Sequence, residues 1–268
     1  MPVIKLAELF LKAASFFHFI LTARHRKGRG IHSPYAYTLV ADVSCDRSFY
    51  KEYDLFTQLR DQLKNTDLEI EVENYGSPSK KFKKGLRKVS ELAKISSIDE
   101  KHGKLLFRLV KFYKPKFILE LGTSIGLATT YLSKGYPKAK IVTIEGNGSL
   151  CSFAHKLFLE NNLRNIEIKQ GLFDDLLPEV LSEFTNHCLI FIDGNHSYEP
   201  TLHYFNSICN NFEECMIVFD DINWSSEMRL AWKEIYNHPV AHVSIDLYFM
   251  GIVIKNKDIT PGKYKVWF

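Results

Sequence analysis

Through the first 116 residues, apolar positions recur three and four apart; beyond Lys116 they condense into short β-rich runs. The opening stretch, VIKLAELFLKAASFFHFILTARHRKGRG, is interrupted at helical spacing by Lys5, Glu8 and Lys12. That pattern predicts an amphipathic helix docked on its own protein, with membrane-surface or partner binding as the competing use of its apolar face. Gly28 and Gly30 end it, and Pro34 sets a turn before the next apolar run. A second helix is predicted over 48–66, where Phe49, Tyr53, Phe56, Leu59 and Leu63 fall near one face. From Asp67 to Lys84 the pattern fails, and YGSPSKKFKKG has the turn residues and charge of an exposed loop. Helical periodicity returns over 86–95 and 97–113, the latter with Leu105, Leu106, Leu109 and Phe112 apolar.

Seven β-rich runs follow, FILEL, KIVTIE, IEIKQ, CLIFID, CMIVFD, VSIDLYF and GIVIKN, and helical segments separate the first six. Strand and helix alternating at this spacing specify a parallel sheet covered on both faces, because each crossover helix packs back onto the sheet. The last two runs leave almost no room for a helix, so they predict a hairpin with one antiparallel strand at or near the edge. The expected fold is therefore α/β, a seven-stranded, mostly parallel sheet ending in an antiparallel hairpin. A helical region, residues 1–115, precedes the sheet domain, residues 116–268.

Composition sharpens this division. With 46% hydrophobic and 25% charged residues, only 14 Gly and 9 Pro, the 268-residue chain can bury a sizeable core, which excludes disordered and collagen-like classes. The net charge of +4 is unevenly spread: residues 1–116 carry +10 and residues 117–268 carry −6. A basic half joined to an acidic half suggests two tasks, and the basic half suits an anionic partner. Cys45, Cys151, Cys188, Cys209 and Cys215 are odd in number and form no C-x-x-C pair or metal-spaced cluster, which predicts free thiols in a reducing, cytoplasmic setting. No secretory signal or transmembrane segment is expected, since the N-terminal basic cluster follows the apolar stretch and charges interrupt it.

Ligands of open α/β sheets sit beyond the carboxyl ends of the strands. Read at those ends alone, the chain offers Glu120 to Gly126, Glu145 to Asn147, Gly171 to Asp174, Asp193 to His196 and Asp220 to Trp224. In ILELGTSIG, Gly122 permits a tight turn under a ligand and Gly126 opens the next helix. Ser124 stands where the dinucleotide fingerprint has its middle glycine. Glu145 follows Gly122 by 23 residues, and a carboxylate there can accept hydrogen bonds from both hydroxyls of a ribose.

These residues resemble the class I S-adenosylmethionine-dependent methyltransferases. ELGTSIG is similar to their glycine-rich first motif, IEGN to the acidic second, and the closing hairpin to their reversed last strand; the resemblance covers roughly residues 116–255. It implies a Rossmann-like domain with S-adenosyl-L-methionine as cofactor. It further implies that Glu120, Gly122, Thr123, Ser124 and Gly126 lie along the methionine part and that Glu145 and Gly146 hold the ribose. Phe173 and Asp174 would flank the adenine, with Asp193 also at the cofactor. Within the family, the D-G-x-H segment at Asp193 to His196 resembles small-molecule O-methyltransferases, including the metal-dependent catechol type. Asp193, Asp220 and Asp221 at two adjacent strand ends would repel unless a cation sat between them, and hard oxygen ligands favour Mg²⁺ or Ca²⁺; the alternative is that Asp220 or Asp221 binds backbone amides. The catechol type has a lysine where His196 stands and an asparagine where Asp221 stands.

The expected chemistry is methyl transfer to a hydroxyl oxygen of a small-molecule acceptor, with Asp193 and His196 as catalytic candidates and His196 as the general base. A capping or packing role on the following helix is the alternative for His196. Trp224 is a candidate acceptor-pocket wall, and His32 and Tyr35 are candidate cap residues touching substrate. A nucleic-acid acceptor is disfavoured, because DGNH stands where an N/D-P-P-Y segment would mark amino methylation of bases, and no Pro-Cys pair serves attack on a pyrimidine. SKKFKKGLRK, with Phe82, could neutralise phosphates and stack on a base, but a solvated loop is the simpler expectation. The competing functions are a nucleotide-binding oxidoreductase and a binding protein that keeps the fold without catalysis.

Overall fold

Helical periodicity in the first part of the chain becomes a set of helices laid on one face of a sheet. The computed structural model describes residues 13–72, 85–95 and 97–268. Helix α1 occupies 13–22 of the opening amphipathic stretch; Lys5, Glu8 and Lys12 lie outside the described residues. It docks on its own chain, with Phe16 and Phe19 packed against Tyr248 at ring-centre distances of 4.8 and 5.3 Å. Pro34 opens α2 (Pro34–Thr38), which runs into a π-helical turn at Leu39–Ser44. The second predicted helix begins later than its apolar spacing suggested: α3 is Glu52–Asn65, and Phe49 stays outside it, 70% exposed.

The stretch expected to be loop contains a strand. Glu69–Val72 (β1) pairs antiparallel with Gly85–Lys88 (β2), so the next helix, α4 (Val89–Ile95), starts three residues after the position expected. The signal was present in Glu-Ile-Glu-Val, whose exposed and buried positions alternate with period two. The connecting basic segment, including Phe82, lies outside the described residues. Helix α5 (Glu100–Tyr113) is capped by Asp99, whose carboxylate accepts from the His102 amide at 3.0 Å, and buries Leu105, Leu106 and Leu109.

The alternating half forms β3 (Phe117–Leu121), α6 (Leu127–Gly135), β4 (Lys140–Glu145), α7 (Gly148–Glu160), β5 (Ile166–Gln170) and α8 (Phe173–Glu183). It continues with β6 (Cys188–Ile192), α9 (Tyr198–Asn211), β7 (Cys215–Phe219), α10 (Ser226–Asn237), β8 (Val243–Asp246), β9 (Gly251–Lys255) and β10 (Gly262–Lys265). One sheet has eight strands in the order β10-β8-β9-β7-β6-β3-β4-β5. This corrects the expected count of seven. The added strand, Gly-Lys-Tyr-Lys, buries only Tyr264 and pairs parallel to β8 at the edge, so it lacks the apolar run of the inner strands. Among the described residues β9 alone runs antiparallel within the sheet, and it lies between β7 and β8, two strands in from the edge.

Period-two side-chain alternation divides the strands between two cores. Ile118, Leu189, Phe191, Met216 and Val218 join the cluster formed by the N-terminal helices, α5, α6 and α7. Leu119, Leu121, Ile190, Ile192, Ile217 and Phe219 join the cluster under α8, α9 and α10. Burial on both faces is what makes these strands near-continuous apolar runs. The first cluster is continuous across Lys116, from Leu39 and Phe56 to Val218 and Ile252. Among the described residues, no helix is long and apolar enough to cross a membrane.

Candidate active site

All parallel strands of the sheet end on one side, and the polar residues singled out above gather there. Leaving β3, the chain turns at Gly122 with φ 109°, in the left-handed region that favours glycine. A Cβ at Gly122 would collide with the main-chain oxygen of Asp193, so the turns after β3 and β6 are in direct backbone contact. Ser124 adopts φ 49°, and its amide donates to Glu145 Oε2 at 2.9 Å. The other oxygen, Oε1, accepts from the Asn147 amide at 3.0 Å. Glu145 thereby ties the turn after β3 to the turn after β4, with Gly146 between the carboxylate and Asn147. Burial pushes its carboxyl above the ordinary value against the pull of these amides.

Glu120 is fully buried. Its Oε2 accepts from Thr129 Oγ1 at 2.5 Å and Thr143 Oγ1 at 2.6 Å, and Thr143 also bonds Thr123 Oγ1 at 2.6 Å. Its Oε1 has no hydrogen-bond partner among the described residues. Burial lifts this carboxyl to about 8. Thr129 and Thr143 escaped the sequence reading because they lie inside a helix and a strand rather than at strand ends. The only hint was their polarity at positions that are otherwise apolar.

Phe173 opens α8 and lays its ring over Gly194, where a Cβ would come within 2.6 Å of it. The ring meets Tyr204 edge-on at 6.0 Å, and the Tyr204 hydroxyl accepts from Asn195 Nδ2 at 2.7 Å. Asp174 is exposed beside Tyr204. Tyr204 and Asn195 were missed because the sequence reading stopped at the acidic and histidine members of each turn.

Asp193 and Asp220 extend adjacent strands that pair in register. Burial, then Asp221, Glu120 and Glu145, raise the Asp193 carboxyl well above its ordinary value; burial, then Asp193 and Asp221, do the same to Asp220. Asp221 follows with φ 53°. Among the described residues no group of three His, Cys, Asp or Glu side chains is arranged to hold a metal ion, so the expected site at Asp193, Asp220 and Asp221 gains no support here.

His196 Nε2 lies 3.6 Å from Asp193 Oδ1. The capping position of α9 belongs to Ser197, so His196 is not the cap. Trp224, 37% exposed, sits in the turn after β7, its amide bonded to Asp221 O at 2.8 Å. His32 and Tyr35 do not join this group. Ser33 caps α2 by accepting from the Ala36 amide at 3.4 Å, and Tyr35 packs on Phe112 with ring centres 5.6 Å apart. Tyr35 there lines a cavity of about 120 Å³ with Tyr113, His187 and Glu214, beside the amino ends of β6 and β7 and therefore at the opposite end of the sheet. His32 is exposed, three residues earlier.

Comparison with known proteins agrees with this geometry. Residues 119–222 match a family described as a methyltransferase domain. A catechol O-methyltransferase of Niastella koreensis is 30% identical over 112 residues, which is 41% of this chain and 50% of the relative, so the chain spans about half the length of that curated protein. Among solved structures, an O-methyltransferase from Bacillus cereus in complex with SAH covers 80% of this chain and 94% of its own, with a TM-score of 0.53 and 18% identity. A Podospora anserina methyltransferase with SAH bound covers 84% of this chain and 97% of its own, with a TM-score of 0.56 and 13% identity. A structure from Staphylococcus aureus, named as a candidate caffeoyl-CoA O-methyltransferase, covers 62% of this chain and 88% of its own, with a TM-score of 0.54 and 16% identity. At these identities the structures establish the shared Rossmann-like fold.

Proposed function

Starting from a methyltransferase domain at residues 119–222, we propose that this protein is an S-adenosyl-L-methionine-dependent methyltransferase whose acceptor is a hydroxyl oxygen of a small molecule. The carrying observation is the frame at the strand ends, where Glu145 bridges the Ser124 and Asn147 amides beside a fully buried Glu120 with an unpartnered oxygen. The Glu145 carboxylate accepts from the Ser124, Asn147 and Gly146 amides and, with about four acceptor sites on its two oxygens, keeps capacity for a ribose hydroxyl. Glu120 Oε1, an acceptor without a donor, suits an ammonium group. Phe173 supplies an apolar surface for the adenine, with Asp174 at its rim. The names of the Niastella koreensis relative and of two structural neighbours support an oxygen acceptor.

The cofactor, when bound, supplies a methyl group activated on a sulfonium. The protein aligns the acceptor oxygen with it and removes the hydroxyl proton. Alignment is the larger contribution, of the order of 7–11 kcal/mol of barrier for a well-oriented pair. The His196 imidazole takes the proton, and the Asp193 carboxylate, 3.6 Å from Nε2, favours the imidazolium that forms through its charge. Trp224 walls the acceptor side, and the N-terminal region, residues 1–115, acts as a cap that helps choose the acceptor. No step is assigned to Mg²⁺. The free thiols at all five cysteines fit a reducing, cytoplasmic setting.

Calorimetry with S-adenosylmethionine, S-adenosylhomocysteine and NAD tests the reading. Both sulfur compounds are expected to bind; binding of NAD instead would favour an oxidoreductase, and binding of neither sulfur compound removes the proposal. With cofactor affinity intact, His196→Ala is expected to lower turnover at least about a hundredfold. Unchanged turnover would remove His196 as base.

A further inference from the structure

A second cavity, of about 310 Å³, lies where the segment around the π-helical turn meets α5, and it is ringed by Arg26, Lys27, Arg47, Lys101, Lys104 and Arg108. Against these six cations the one carboxylate side chain lining it among the described residues is Asp46. Asp46 is itself engaged, accepting from the Tyr50 hydroxyl at 2.6 Å and the Ser48 amide at 2.8 Å. Lys104 pairs outward with Glu100.

Arg108 is the most telling member. It is buried, and its bonds go to the main-chain oxygens of Val43 at 2.7 Å and Ser44 at 3.2 Å and to the Tyr53 hydroxyl at 3.1 Å. These neutral acceptors orient the guanidinium at a buried position, and Asp46 is the carboxylate whose charge it meets. Lys27 is held at φ 54°, a strained conformation for a residue with a side chain. Burial lowers the Lys101 pKa against the pull of Asp99, and its Nζ donates to the Phe268 main-chain oxygen at 2.5 Å. Trp267 and Phe268 form an aromatic wall, with Lys101 Nζ 5.9 and 4.1 Å from their ring centres.

The cavity also borders the acceptor end of the sheet. His102, next to Lys101, packs edge-on against Phe249 at 5.5 Å, and the Phe249 main-chain oxygen accepts from the Ile222 amide immediately after Asp221. We infer that this basic cavity is a subsite for a phosphate-bearing group of the methyl acceptor. With Lys104 paired to Glu100, Arg108 facing Asp46 and Lys101 near Asp99, the exposed Arg26, Lys27 and Arg47 still leave the cavity with an excess of cations, and guanidinium forks match phosphate oxygens. The volume is at the lower end of small-molecule sites, large enough for a phosphate ester rather than an ion alone. Assignment to the acceptor rests on the methyltransferase reading; anion binding itself does not.

The test uses the full chain, with pyrophosphate as the probe in calorimetry at low ionic strength. Arg26 and Arg47 are exposed and outside the core, so the Arg26→Glu/Arg47→Glu variant is expected to fold. Pyrophosphate is expected to bind one to one, and the double reversal to weaken it at least tenfold. Lys138→Glu/Lys233→Glu, with the same change in net charge at exposed positions elsewhere, is expected to leave affinity within about twofold. Absence of pyrophosphate binding, or equal loss in both variants, overturns the subsite. S-adenosylhomocysteine affinity, measured in the same samples, is expected to be unchanged in both; its absence would strike the methyltransferase reading instead. Hydroxylated phosphomonoesters are expected to be methylated with at least tenfold higher kcat/KM than their dephosphorylated counterparts, and the reverse preference overturns the acceptor assignment.

Discussion

Glu120 is fully buried, yet only one of its two oxygens is hydrogen-bonded among the described residues. With its carboxyl lifted to about 8, the neutral form prevails roughly tenfold at pH 7. A cationic ligand group at Oε1 would ionise it, so cofactor binding near pH 7 is expected to release close to one proton. Calorimetry in buffers of different ionisation enthalpy reads that number, and zero release would sink the idea. In the ligand-free protein the sign is fixed by linkage: the folded-state value lies above the unfolded one, so this group's contribution is full below about 4.5 and is lost as pH rises through about 8. Glu120→Gln, which keeps an oxygen for Thr129 and Thr143, is expected to flatten that part of the pH–melting profile. Glu145→Ala is expected to weaken S-adenosylhomocysteine roughly 10- to 100-fold, the scale of lost hydrogen bonds to a charged acceptor; an unchanged dissociation constant would contradict the ribose role. Glu145 and Asp193 were legible in the sequence because strand ends are where such sheets bind ligands. Thr129, Thr143, Asn195 and Tyr204 were not, since their roles arise from which side chains the fold brings beneath and beside those ends.

The turns between elements depend on backbone conformations that few residues accept. Gly122 combines φ 109° with contact against the Asp193 carbonyl, so Gly122→Ala must move one turn or the other. The expected cost is about 1–3 kcal/mol, seen as a melting temperature several degrees lower, together with weaker cofactor binding. A variant as stable as the parent would mean that the two turns are less tightly joined than their geometry indicates. The inner strands announced themselves through runs such as Cys-Leu-Ile-Phe-Ile and Cys-Met-Ile-Val-Phe, which burial on both faces requires. The edge strand β10 and the β1–β2 hairpin were harder to see, because each buries few residues and draws its definition from a partner strand. Tyr35, expected as a cap residue touching substrate, instead packs on Phe112 and lines the cavity at the far end of the sheet, a placement that tertiary packing decides.

Across the whole molecule, one apolar cluster joins residues on both sides of Lys116. A fragment beginning at residue 117 would expose Ile118, Leu189, Phe191, Met216 and Val218 from that face. It is expected to bind hydrophobic dye and lose near-ultraviolet dichroism, whereas a cooperative unfolding transition would show that the sheet half folds unaided. The charge asymmetry of the sequence survives at this scale as two neighbouring fields, carboxylates at the strand ends and cations beside α5. The position of β9 governs the order in which the molecule is completed. Because β9 separates β7 from β8, the outer edge of β7 has no partner strand until residues 251–255 have left the ribosome. Emerging from its N-terminus, the nascent chain can pair β3 to β7 early but carries an open, fully apolar edge strand for the last stretch of synthesis. The closing hairpin thus completes the sheet from inside its final order rather than by extending it outward, and premature termination before Gly251 leaves a sticky edge instead of a slightly smaller protein.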